Sequence, residues 1–324
     1  MKLLRNTLPV AAVVLFSQSG NAQTIFSDTF SGASTLNQAP VAPTSTSMSY
    51  QTAYGLAGGS SSIGANDLSL TMPSSTSVLG EAYGRFTSSP VALTSVGQTI
   101  SLQVVFVNTA NILIGSSGNS TLNIGLFNSG GVDANQGPLV LSTGTVSGGT
   151  QNWLGYSSRI IFNGSSQIFT RPAQTPNGTT SQNQDLLFNG ASGSQAYTGG
   201  VNLGSTTSTI TLTQGLTYTL NLTATLTAAT TLTINDTLYN GVGTGGSVVF
   251  TQQKNATGAN LIATSFDGLA VGWRNSSAAA QGSTMDIQSI QITSNAVPEP
   301  STFALSGLGM LAAAWAYRRQ RATR

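Results

Sequence analysis

The run Thr217-Tyr-Thr-Leu-Asn-Leu-Thr-Ala-Thr-Leu-Thr227 alternates without a break. One set of positions carries Thr or Asn; the other carries Tyr, Leu or Ala. A period of two puts successive side chains on opposite faces of a strand, so this run has one apolar and one hydroxyl face. Wound as a helix, the same residues would scatter both sets around the axis. Thr209-Ile-Thr-Leu-Thr213 and Thr231-Leu-Thr-Ile234 obey the same rule, with Gln214-Gly215 as the turn between the first two runs. Such runs build a sheet with one wet face and one buried face.

The remainder of the chain's middle reads the same way. Thr99–Val107 predicts a longer, more buried strand. Further strands are expected over Asp67–Met72, Tyr83–Thr87, Thr121–Phe127, Arg159–Phe162, Ser247–Thr251, Leu269–Arg274 and Thr284–Thr293. Paired glycines at 58–59, 130–131, 148–149, 199–200 and 245–246 punctuate them. Residues 33–47 read as a loop. No clean repeat of fixed period favours a solenoid, and no linker cuts the body. The expectation is one all-β, antiparallel β-sandwich over residues 23–296.

Charge is scarce, at 6% of the 324 residues, and cysteine and histidine are absent. That excludes a disulfide framework, a Cys/His zinc site, a thiol nucleophile and a Ser-His-Asp triad. The net charge of +2 belongs to the ends. Lys2 and Arg5 are near the start, and Arg318, Arg319, Arg321 and Arg324 are near the finish. The middle has five cations against eight carboxylates. Nucleic-acid binding needs a basic stripe to displace counterions from phosphates, and this body offers none.

Both ends read as addresses. The first has a basic start, the apolar run Leu8–Phe16 and a small-residue exit. Gly20 and Ala22 fit the −3 and −1 places of a signal peptide over residues 1–22, cleaved between Ala22 and Gln23. At the other end, Val297-Pro-Glu-Pro-Ser-Thr302 precedes an uncharged stretch, Phe303–Tyr317, and then the arginines. As a helix that stretch spans about 22 Å, short of a hydrocarbon core of ~30 Å. Arg318, Arg319 and Arg321 would hold its end on the cytoplasmic side. The pattern predicts a short transmembrane helix that holds the body outside the inner membrane.

The order proline-glutamate-proline, apolar helix and basic terminus resembles the PEP-CTERM sorting signal, over residues 297–324. The resemblance implies that an exosortase, a membrane protease-transpeptidase, recognises Pro298, Glu299 and Pro300 and removes the tail. It implies a Gram-negative-type bacterium, an exopolysaccharide or biofilm setting, and delivery to the cell surface or extracellular matrix. The body's edges, Thr24–Phe30 and Met285–Thr293, are similar to those of concanavalin A-like (laminin-G-like) jelly rolls, in which the first and last strands lie together.

Candidate chemistry is sparse. A glycoside hydrolase needs two carboxylates roughly 5–10 Å apart. Glu81 is the body's one glutamate, and no two acids stand close along the chain; pairing across strands remains open. No cofactor is expected beyond a structural calcium. Asp28 on the first strand and Asp286 on the last are its candidate ligands, with loops at Asp133–Asn135 and Asn235-Asp236 as alternatives. Trp153 and Tyr156, flanked by turn residues, are the candidate aromatic platform for a sugar. Trp273 alternates with Val271 and Leu269 and reads as core. The reading is an exported, non-enzymatic surface or matrix protein. A lectin-like carbohydrate-binding protein and a glycan-degrading enzyme are the alternatives.

Overall fold

The computed structural model describes residues 21–55, 57–64, 66–72, 78–109, 120–140, 149–174, 185–187, 199–275 and 284–296. The expected signal peptide up to residue 20, Pro298–Pro300, Phe303–Tyr317 and the C-terminal arginines lie outside these residues.

The strands form two stacked sheets. The first runs β16 (Val248–Thr257), β15 (Thr231–Asn240), β14 (Thr217–Ala228), β8 (Thr99–Asn108), β19 (Thr284–Ser294), β5 (Leu68–Thr71) and β4 (Ser60–Ile63). β1 (Gln23–Asp28) also lies along β19. The second runs β10 (Leu139–Val140), β3 (Ser49–Tyr54), β6 (Val78–Arg85), β18 (Gly268–Asn275), β9 (Thr121–Asn128), β11 (Leu154–Ile161), β12 (Asn163–Arg171) and β13 (Asn202–Thr209). Short β2 (Thr35–Leu36) joins β3, and β7 (Val91–Ala92) pairs with β17 (Ser265–Phe266). Every ladder is antiparallel except the two short ones that flank β3. The chain keeps changing sheet, with β1, β4, β5 and β8 in the first and β3, β6 and β9 in the second. This is the antiparallel jelly-roll sandwich that the sequence predicts.

Alternation sets which face is buried. On β14 Leu220, Leu222, Ala224 and Leu226 point between the sheets, and β15 adds Leu232, Ile234 and Leu238. The second sheet answers with Leu122, Ile124, Leu126, Tyr156, Ile160, Leu269, Val271 and Trp273. The outer face of the first sheet is a field of hydroxyls and amides. Thr99, Thr225, Thr233 and Asn255 stand in one row across four strands. Thr99 bonds Thr225 at 3.0 Å, and Thr233 donates to Asn255 at 2.9 Å. Paired hydroxyls of this kind stabilise a sheet without charge.

Several expected strands change length. Arg159–Phe162 begins five residues earlier, at Leu154. Ile210 and Leu212 are buried, yet residues 210–213 leave the ladder. β3 and β12 fall outside the expected strands. β12 nonetheless lies between β11 and β13 and takes its strand form from both neighbours. Asn235-Asp236 is no loop. It sits within β15, so its two side chains face opposite ways.

The two faces make different predictions. Leu222→Ala opens a cavity between the sheets and is expected to cost about 2–5 kcal/mol. Thr223→Ala, one residue on, removes a surface hydroxyl and is expected to cost under about 1 kcal/mol. Chemical denaturation of both variants checks this.

Candidate functional site

The outer face of the second sheet has a trough. Gly268, Ala270 and Gly272 on β18 stand across from Phe127, Gly125 and Asn123 on β9. Gly155 on β11 continues this low floor. A Cβ at Gly272 would lie 2.5 Å from the Gly80 carbonyl oxygen, so bulk there is excluded. Overlying segments fill the trough. Trp153, Leu186 and Leu187 pack on Tyr83, Phe127 and Ala270 as a second apolar cluster. The Trp153 ring lies over Gly268, edge-on to Tyr83 at 6.5 Å.

A polar centre is sealed inside this cluster. Glu81 on β6 meets Asp185, 104 positions further along the chain, and a hydrogen bond joins their side chains. Arg171, at the end of β12, lies beside them and donates from Nε to the Asp185 carbonyl at 2.9 Å and from a terminal nitrogen to the Trp153 carbonyl. The Leu186 amide donates to both Glu81 oxygens at 3.3 Å, and the Leu187 amide to Asp185 Oδ1 at 2.8 Å. Asn123 Nδ2 holds the Leu187 carbonyl at 3.2 Å. Glu81, Asp185 and Arg171 are all 0% exposed. Burial raises the Glu81 carboxyl well above its ordinary 4.5, and the Asp185 charge and hydrogen bond raise it further. The Leu186 amide and Arg171 oppose that rise. The Leu186 and Leu187 amides bonded to these two carboxyls make the pair a clamp on segment 185–187.

The body therefore does contain a close acidic pair. Sequence spacing hid it, because the two residues come from distant segments. The signal was Leu186-Leu187, two leucines after a long polar stretch, which mark a plug.

Trp153 and Tyr156 do not form an exposed platform. Trp153 is 0% and Tyr156 1% exposed. Trp153 donates from Nε1 to the Val132 carbonyl at 2.8 Å. Tyr156 points the other way, between the sheets. Its hydroxyl accepts from the Ile262 amide at 3.0 Å and fixes the turn after β16. The flanking Gly149 and Gly155 mark close packing rather than surface turns, since a Cβ on either would strike the Asp133 or Leu126 carbonyl oxygen. Among the described residues Tyr239 is the one aromatic with partial exposure.

Asp28 and Asp286 do not converge either. β1 and β19 do pair, yet Asp28 stands opposite Ile290, and Asp286 opposite Ser69 and Val107. Asp28 is buried and accepts from the Phe30 amide at 2.7 Å and the Tyr50 hydroxyl at 3.1 Å. It pins the left-handed Phe30, at φ 57°. Asp286 accepts from Ser69 and Thr109. Asp133 pairs with Arg85 at 3.0 Å. No three acidic side chains gather around one point among the described residues. No described helix is long and apolar enough to cross a membrane.

One ladder positions the addresses. Gln23, the residue after the expected cleavage point, pairs with Ser294. Residues 296–320, directly beyond, match the PEP-CTERM protein-sorting motif. The chain carries a PEP-CTERM sorting signal. The signal marks it as an exported, exosortase-sorted protein bound for the cell surface. No curated protein matches this PEP-CTERM chain. Similar solved structures include peanut lectin with a nine-residue peptide, 12% identical over 75% of this chain and 90% of that one, with a TM-score of 0.35. The PL-14 alginate lyase of Aplysia kurodai is 14% identical over 72% and 86%, TM-score 0.37. The CBM2 module of the Lactobacillus casei BL23 phage J-1 evolved Dit is 9% identical over 85% and 96%, TM-score 0.39.

Two predictions follow from the clamp. Because burial raises Glu81 in the native state, the unfolded chain gives up this proton first as pH rises above about 4.5. That contribution to stability is complete below this pH and is lost as pH rises toward the raised native value. Glu81→Gln keeps the shape without the charge and should flatten the dependence, stabilising the protein most at pH 8. Melting curves from pH 4 to 9 test this. Trp153→Ala is expected to cost about 3–5 kcal/mol through an emptied trough, read by denaturation.

Proposed function

We propose that this chain is a non-enzymatic surface or matrix protein made of three parts. Residues 1–22 direct export and are removed. Residues 23–296 fold as the sandwich. Residues 297–324 hold it at the inner membrane until an exosortase cuts near Pro298–Pro300. The carrying observation is the pairing of Gln23 with Ser294, which lets both addresses leave from one end of one ladder. Cuts on either side spare every described strand. The sealed Glu81–Asp185 pair supports a structural rather than an enzymatic use of the body's acids. The outer face of the first sheet, rich in hydroxyls and amides and poor in charge, suits a hydrated exopolysaccharide matrix, as in a biofilm.

A second reading, carbohydrate binding, rests on that same face. Tyr239 stands between Thr219 and Val248 there, half-buried among hydroxyls. An aromatic edged by polar groups is what a sugar face uses. Retention on a polysaccharide, lost in Tyr239→Ala with unchanged melting, is the expected result for this reading.

The first reading is tested by the C-terminal peptide of the mature protein recovered from cells and medium. It should end near Pro298–Pro300, and the protein should be found outside the inner membrane. A mature form that retains Phe303–Arg324 would contradict processing.

A further inference from the structure

One polar group between the sheets plays no part in the clamp. Ser158 on β11 faces inward between Tyr156 and Ile160. Opposite, on the first sheet, Asp236 on β15 faces inward between Ile234 and Leu238, and Gln252 on β16 lies beyond it. All three are buried, at 0%, 0% and 3% exposure. Ser158 Oγ donates to Asp236 Oδ2, and Gln252 Nε2 donates to Ser158 Oγ at 2.8 Å. The Gln167 carbonyl, 3.5 Å away, steadies the same amide nitrogen.

This is a hydroxyl bonded to a carboxylate and set against a carboxamide. The Gln252 Cδ is one C–N bond (~1.33 Å) from that nitrogen, and so no more than about 4 Å from Ser158 Oγ. Two further atoms lack partners. Asp236 Oδ1 and Gln252 Oε1 are both buried without a hydrogen bond. Such groups are costly unless chemistry or a proton uses them.

We propose that Ser158 and Gln252 become joined by an intramolecular ester bond, with Asp236 as the group that moves the proton. Ser158 Oγ attacks Gln252 Cδ while its proton passes to Asp236. The tetrahedral centre collapses, the Cδ–N bond breaks, and the proton goes to the departing nitrogen. Alcohol and amide become ester and ammonia, nothing is oxidised, and Asp236 is regenerated. Burial lifts Asp236 to about 7, against hydrogen bonds from Ser158 and Gln252 that lower it, which suits proton exchange near neutral pH. Exclusion of water protects the ester from hydrolysis. The bond would tie β11 of the second sheet to the edge strand of the first, in a chain that has no cysteine for the purpose.

The test is peptide mass mapping of the full-chain product under denaturing conditions. The peptides that hold Ser158 and Gln252 should stay joined, with a combined mass lower by one ammonia, about 17 Da. Mild base should separate them and leave Glu at position 252. Ammonia lost by cyclisation of a new N-terminal Gln23 stays within one peptide and is thereby distinguished. Ser158→Ala should give separate, unmodified peptides. Asp236→Asn, isosteric and uncharged, should do the same and carries the test if Ser158→Ala does not fold. Separate, unmodified peptides from the wild type, fresh and after days at neutral pH, would overturn the proposal. Joined peptides in Asp236→Asn would overturn the role of Asp236.

Discussion

β19 is the strand on which the rest of the sandwich depends. It is the last described strand, yet it lies inside the first sheet, with β8 along one edge and β5 and β1 sharing the other. Ile287, Ile290 and Ile292 drive its apolar face into the core. Until it arrives, β8 has an open edge, and β1 and β5 have no neighbour on that side. The pairing of Gln23 with Ser294 closes nearly the whole body in one loop, a contact of the highest sequence separation available. Such contacts pay loop-closure entropy before they return anything. Folding of the first sheet therefore completes only when the end of the body is present.

The second constraint is the shortage of charge. Of eight carboxylates in the body, Asp28, Glu81, Asp185, Asp236 and Asp267 are buried. Acids that would ordinarily keep a surface soluble are used as internal pins. Asp28 fixes the turn after β1. Asp267 accepts from the Ser129 amide and hydroxyl, each at 2.7 Å, and lies 3.4 Å from Arg85. Each takes hydrogen bonds from neighbouring main chain or side chains, which is the condition for burying a charge or a polar group. The surface is then left to hydroxyls and amides. Cross-strand Thr pairs hydrate it and hold it, while Lys254 bridges the sheets' edges through the Ser205 carbonyl at 3.0 Å and Thr206 at 3.1 Å.

Period-two alternation made the sandwich legible. Thr217–Thr227 and Thr231–Ile234 show their buried faces in the sequence because every second residue is apolar. The pairing of first and last strands was legible by likeness. The second cluster was not, because a residue's face does not say what covers it. Trp153 beside glycines looks the same in sequence whether the glycines make a surface turn or a floor beneath a ring. Glu81 and Asp185 carry no spacing signal, since segments 104 residues apart are brought together by the fold alone. Ser158 falls just before the expected strand Arg159–Phe162, and Asp236 in a pair that reads as a loop. Their meeting depends on the exact register of β11 opposite β15 and β16.

The end of β19 is built to stop there. Asn295 Oδ1 accepts from the Thr99 amide at 2.7 Å, and its Nδ2 donates to the Gly97 carbonyl at 3.1 Å. Ser294 Oγ donates to the Thr99 carbonyl at 2.6 Å and accepts from the Ala296 amide at 3.0 Å. Asn295 and Ser294 therefore do for this strand what a further ladder residue would do. A chain that ran on through the ladder would lose strand pairing when its tail was cut. Here the polar closure is complete at Ser294–Ala296, where the sorting motif begins. A removable tail needs that separation of fold from address.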